Sequence, residues 1–173
     1  MQEPRIIYKK AEPSLADGIV HDHLHWQVFA TVEKFRVGED KPYEVVKQKG
    51  NLLLNEGIQK MLDLLTGTGG TSYNATNARI GVGNGSAAAA ATQTALQGGS
   101  SIFVAMGGTY PSRASQTVSF QGTFGSGTAE FSWEEWSIDN GSTGTLNLNR
   151  KVGNLGTKGT NETWVLTADI TVS

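Results

Sequence analysis

Apolar and polar residues alternate along most of this chain, and the alternation predicts strands. Val118, Phe120 and Phe124 share one parity. Phe131 and Trp133 share a face, Trp136 and Ile138 take the other parity, and a bulge at Glu134 and Glu135 would reconcile them. Trp164, Leu166, Ala168, Ile170 and Val172 alternate without a break. A period of two marks strands that bury one face and wet the other, as antiparallel sheets do. Nearer the N-terminus, Trp26, Val28, Ala30 and Val32 share a face, while Phe35 and Val37 do not. That switch predicts a bulge or face change near Glu33 and Lys34. A turn over Gly38 to Pro42 then leads to a second strand, Tyr43 to Lys49, so Trp26 to Lys49 reads as a hairpin.

One segment has the helical period instead. Leu54, Ile58, Met61, Leu62 and Leu65 form a single stripe, which predicts a helix near residues 52–66 packed on the sheet. Asn51 or Asn55 can cap its start, and Gly67 stands where a left-handed residue ends helices. The expected core-packing residues are Trp26, Leu54, Ile58, Leu62, Phe131, Trp133, Trp136 and Trp164. Residues 78–106 are thinner in signal. Arg79 to Gly83 and Ile102 to Met106 read as strands, and the alanine run allows a short helix over Ala89 to Leu96. Residues 1–24 read as an extended arm, since Pro4 and Pro13 forbid a continuous helix and Ile6, Ile7 and Tyr8 are its apolar cluster. Residues 25–173 read as one β-rich domain.

Composition sharpens this picture. Only 17% of the residues are charged, while 22 are glycine. That suits a turn-rich β protein whose backbone packs closely, often against other subunits. A net charge of −2 gives no electrostatic reason to expect nucleic acid. With no cysteine, disulfides are excluded. No apolar run reaches membrane-spanning length, and the first ten residues lack the apolar core of a signal peptide. We therefore expect a chain made in a cytosol and assembled there.

Candidate chemistry is sparse. Gly81-Val-Gly-Asn-Gly85 has the wrong glycine spacing for a dinucleotide loop and no acidic residue about 20 positions on, so it reads as a tight turn. His21, His23 and His25 would project from one face of a strand, and three imidazoles can hold Zn²⁺ or Ni²⁺. An exposed contact segment, pH-sensitive or not, is the reading set ahead of metal. Glu134 and Glu135 are strand neighbours that point to opposite faces, so they cannot flank a glycosidic bond as a pair. They read as a charged bulge or edge. The four tryptophans allow a sugar-binding module, although each has aliphatic strand partners that favour core packing. No catalytic set is found, and neither an enzyme nor a cofactor is expected.

Several short motifs occur in a recognisable order. Asn51-Leu-Leu-Leu-Asn-Glu-Gly-Ile-Gln59 leads into the helix, followed by Ala78-Arg-Ile-Gly-Val-Gly-Asn-Gly85 and Ala-Ala-Thr-Gln-Thr-Ala-Leu-Gln97. Thr109-Tyr-Pro-Ser-Arg113, Phe131-Ser-Trp-Glu-Glu-Trp136, Leu148-Asn-Arg-Lys151 and Leu155-Gly-Thr-Lys158 complete the series. From Gly50 to Ser173 the chain resembles small virion structural proteins of tailed bacteriophages. The resemblance implies a non-enzymatic particle component. The combined expectation is an antiparallel β-sandwich or flattened barrel with one packed helix and an N-terminal arm. It would be a capsid decoration (cement) protein, a homo-oligomer on the particle, bound to other virion proteins (the major capsid protein or tail proteins) through arm residues Ile6, Ile7, Tyr8, His21, His23 and His25. A tail, baseplate or fibre-anchoring component is the first alternative and a carbohydrate-binding module the second. No nucleic-acid or membrane partner is expected.

Overall fold

The computed structural model describes residues 24–141 and 146–173. Ten strands and one helix follow in order: β1 (Trp26–Arg36), β2 (Glu44–Lys49), β3 (Leu52–Leu53), α1 (Asn55–Thr66), β4 (Arg79–Gly83), β5 (Ser101–Ala105), β6 (Ser112–Ala114), β7 (Thr117–Phe124), β8 (Ser132–Asp139), β9 (Asn149–Thr157) and β10 (Glu162–Val172). They form two five-stranded antiparallel sheets with orders β2-β1-β10-β7-β6 and β3-β9-β8-β4-β5. The fold is a β-sandwich. The expected arm, with Ile6, Ile7, Tyr8, His21 and His23, lies outside the described residues.

The inner faces supply one continuous core. Val28, Ala30 and Val32 of β1 lie beside their register partners Ile170, Ala168 and Leu166 of β10, and together they pack with Ile80, Val82, Trp136 and Ile138 of the other sheet. Trp133 sits edge-on to Phe124 at 4.7 Å and to Trp164 at 4.8 Å between ring centroids. Such pairs add about 0.5–1.5 kcal/mol each beyond the area they bury. Trp133 donates its indole N–H to Ala129 O at 2.9 Å, so its one polar atom is satisfied in the interior.

The register of β8 against β9 shifts between Trp133 and Glu135. This bulge puts both Trp133 and Trp136 into the core, each fully buried. The face change expected near Glu33 and Lys34 is absent: β1 pairs with β10 in unbroken register from Trp26 to Arg36. Lys34 instead continues the inward parity. It is buried, its Nζ lies 4.3 Å from the centroid of the Trp164 ring, and it pairs with Glu44 Oε2 at 2.9 Å. A cation over an indole face replaces the apolar residue that alternation would demand.

The helix forms where its periodicity predicts it, but it is turned. Its N-cap is Leu54, which has no capping side chain, rather than Asn51 or Asn55. Leu54 is fully buried, and its N–H and that of Asn55 donate to Leu148 O and Ala91 O. Gly67 closes the C-terminus at φ 69°. The face toward the body carries Gly57, Lys60, Met61 and Leu64, an i, i+3, i+4, i+7 set. Ile58 and Leu62, expected in the core, are 41% and 54% exposed. The cause is Gly57: a Cβ there would stand 2.4 Å from Leu148 O. Only a glycine lets the helix backbone come so near, and the helix settles on that side, roughly 100° from the predicted stripe.

Candidate functional site

Two places in the molecule depart from ordinary sandwich construction. The first is the outer face of the second sheet. By alternation from the buried Trp136, Glu135 points away from the inter-sheet core. It is nevertheless fully buried, because the small-residue loop 84–100 lies over it. The short helix expected over Ala89 to Leu96 does not form; the loop is irregular and is held by side chains from the sheet. Glu135 Oε1 accepts from the N–H groups of Gly85, Gln97 and Gly98 at 3.1, 2.8 and 2.8 Å. Its Oε2 accepts from Arg150 Nε at 2.6 Å, and Arg150 is itself fully buried. Arg150 Nη1 donates to Ala87 O at 3.0 Å and to Gln93 Oε1 at 2.9 Å. Asn147 Nδ2 reaches Thr94 O at 2.6 Å. A carboxylate and a guanidinium thus substitute for the hydrogen-bond ladder that an irregular loop lacks.

This pair cannot serve a reaction as it stands. Both Glu135 oxygens are occupied, and neither residue meets solvent. Of the sequence reading of Glu134 and Glu135 as a charged bulge or edge, the bulge is present and the edge is corrected: β8 is the central strand of its sheet, and Glu135 is turned under the loop. Glu134, its neighbour, accepts instead from Ser132 at 2.6 Å and Asn154 at 3.1 Å.

The second place is one end of the sandwich, where Trp26 pairs with Val172. A cavity of about 320 Å³ opens there between the strands and α1. Trp26, Phe120 and Ile170 wall it on the sheet side, Met61 and Leu64 on the helix side, and Tyr73 beside them. The polar tips of its aromatic walls are used elsewhere: Trp26 Nε1 donates to Asn51 Oδ1 at 2.7 Å and Tyr73 Oη to Leu146 O at 3.1 Å. Burial pushes the Tyr73 phenol well above its ordinary value, with the charges of Glu56 and Asp139 adding to it. On the far side of α1, Ile58, Leu62 and Leu65 face outward, Leu65 at 81% exposure. The helix is therefore apolar on two sides, one lining the cavity and one turned to solvent.

The opposite end, where Arg36 pairs with Glu162, is charged. Burial tends to raise the Glu162 pKa. Hydrogen bonds from Gly159 N–H, Tyr43 Oη and Trp164 Nε1, together with the Lys158 charge, outweigh it, so the pKa is lowered. Tyr43 is pushed up to about 12, by burial first and then by its bond to Glu162. Lys158 is lowered by burial, its Nζ donating to Gly125 O at 2.9 Å.

The chain matches no protein-family model, no curated protein and no solved structure.

Among the sequence-predicted residues, His25 is described and holds the start of the first sheet. Its N–H donates to Ser173 O at 2.7 Å, and Ser173 N–H donates back at 3.1 Å. His21 and His23 lie outside the described residues, and no group of three potential metal ligands occurs among the described ones. Trp133, Trp136 and Trp164 are fully buried, so none offers a ring face to a sugar. Phe131 and Trp26 are partly buried against the core. Two features were not read from the sequence. The Glu135–Arg150 hub joins residues from different strands, and its sequence signal was an irregular loop with many N–H groups to satisfy. The cavity arises from the rotation of α1, and its signal was Gly57 in the first turn of an amphipathic helix.

Proposed function

We propose that the chain is a non-enzymatic structural component of a tailed-phage particle, and specifically a capsid decoration protein that binds the outer head surface and stabilises it. The observation that carries this reading is the outward stripe of Ile58, Leu62 and Leu65 on α1, which has no covering element among the described residues. Three large apolar side chains at i, i+4 and i+7 form a ready anchor for a partner surface. The motif series from Gly50 to Ser173 supplies the particle context. The pinned loop 84–100 suits the same role, since a rigid outer face docks with little ordering cost. Binding only the assembled shell would stabilise it in proportion to the occupancy reached.

The test is direct. Purified heads and tails are separated, and each fraction is analysed by mass spectrometry. Recovery with heads is expected; recovery with tails would favour the tail, baseplate or fibre-anchoring alternative, and recovery with neither would overturn the virion reading. The triple variant Ile58→Asp, Leu62→Asp, Leu65→Asp should lose at least tenfold in head occupancy while its melting temperature stays within a few degrees of wild type.

A further inference from the structure

We propose that the outer edge of β5 is a self-pairing surface, on which β5 of a second copy of this chain docks antiparallel about a two-fold axis through Phe103. This inference is independent of the virion reading. β5 ends its sheet and is bonded to β4 on one side. Asn84 N–H donates to Ser100 O at 3.1 Å, one step beyond the register of β4 with β5. Bonded positions alternate in an antiparallel ladder. Ile102 and Val104 therefore turn their backbone groups toward β4, and Ser101, Phe103 and Ala105 turn theirs outward. Among the described residues no other element bonds those outward groups. A row of open N–H and C=O groups is matched by an extended chain, not by a helix.

The make-up of the strand selects which chain. The other sheet edges among the described residues are blunted: β2 carries Glu44, Lys47 and Lys49, β3 is two residues long, and β6 is a short segment centred on Arg113. β5 reads Ser-Ile-Phe-Val-Ala, with neither charge nor proline. Turned on itself about Phe103, it sets Phe103 against Phe103 of the second copy and Ser101 against Ala105 of the second copy. Every outward position then meets an outward position, each pair exchanging both N–H···O bonds. A slip of one residue would lose that match. Ile80 and Val82 lie in the core, so Val104 and Ile102 opposite them share the inner face. Phe103 stands on the outer face, its ring against Gly81. Two such rings meet across the axis as a cross-strand aromatic pair. Arg79, whose guanidinium lies 5.4 Å from the ring centroid, is paired with Asp139, so its charge does not oppose the second copy. The contact is isologous and closes at two copies. It is also narrow, which makes the dimer a weak one.

The experiment is sedimentation velocity on the full chain from roughly 10 µM to 1 mM. A monomer–dimer equilibrium is expected. Amide exchange at Ser101, Phe103 and Ala105 should slow as concentration rises, while that at Ile102 and Val104 stays constant. Ser101 and Ala105 are exposed, so both positions accept a charge without loss of the fold. The double variant Ser101→Lys, Ala105→Lys opposes like charges at both ends of the joint and should raise the dimer dissociation constant about tenfold. Its melting temperature should match wild type at concentrations where both are monomeric. The double variant Ser101→Lys, Ala105→Glu sets opposite charges face to face in this register and should dimerise as wild type does. A monomer throughout the range would overturn the proposal and leave the edge to a strand of another protein. A dimer that the lysine pair leaves intact would overturn it in favour of another face, such as the outward stripe of α1.

Discussion

Glu135 is the residue on which the most local structure depends. It joins three backbone N–H groups of one loop to a buried arginine from a neighbouring strand. Removing one partner of a buried ion pair typically costs about 3–5 kcal/mol, because the other charge is left unpaired. Glu135→Gln should destabilise by that order in urea melts. It should also speed hydrogen exchange at Gly85, Gln97 and Gly98 beyond the global change. Replacing both Glu135 and Arg150 by methionine would relieve many such pairs, but not this one. The three loop amides would lose their acceptor, at about 1–3 kcal/mol each. Glu56 makes the opposite case. Burial pushes its pKa above the ordinary 4.5, although Asn147 N–H donates to Oε1 at 2.6 Å. A raised folded-state value means that the fold binds the extra proton more tightly. Glu56 therefore supports the fold fully below about 4.5, and that support is lost as pH rises through its folded value. Glu56→Gln keeps the acceptor and removes the charge. The variant should match or exceed wild-type stability at pH 7, with the difference closing as pH falls below the ordinary carboxylate value in pH-dependent urea melts.

At the scale of the element, α1 shows how one small residue overrides a hydrophobic pattern. The apolar arc of this helix is wide enough to allow several rotations, and periodicity alone selects its centre. The close approach of Gly57 to Leu148 O selects a different one. Gly57→Ala would gain about 1 kcal/mol of helix propensity. It would also force a Cβ to within 2.4 Å of a backbone carbonyl, and that atom cannot swing aside. Overpacking of this kind costs about 1–3 kcal/mol. The expected outcome is net destabilisation in thermal melts, with increased probe binding as the helix lifts from the cavity. The β1 strand carries the same lesson in a milder form. Its parity never changes, and the apparent break at Lys34 arises because a lysine over Trp164 occupies an inward position.

As a whole molecule the sandwich differs between its two ends. The Lys34–Glu44 ion pair and the hydrogen-bonded Glu162 carboxylate lie where Arg36 meets Glu162, while the apolar opening lies where Trp26 meets Val172. Deleting residues 1–23 should leave a cooperatively folding domain, because the described core is complete without them. The same truncation should leave the melting temperature little changed and lose association with particles. Calorimetry and co-sedimentation read the two effects separately.

The alternating pattern by itself determined that this is an antiparallel β protein with one helix, and it located most strand and core positions, because a period of two survives any arrangement of the strands. It also located the bulge in β8, since two buried tryptophans of opposite parity on one strand leave no other solution. Tertiary structure alone decided which carboxylate of Glu134 and Glu135 is buried, which side of α1 faces the body, and that an apolar opening lies beside the first residues of β1. Each of these depends on an approach between segments tens of residues apart, and no local period carries such distances.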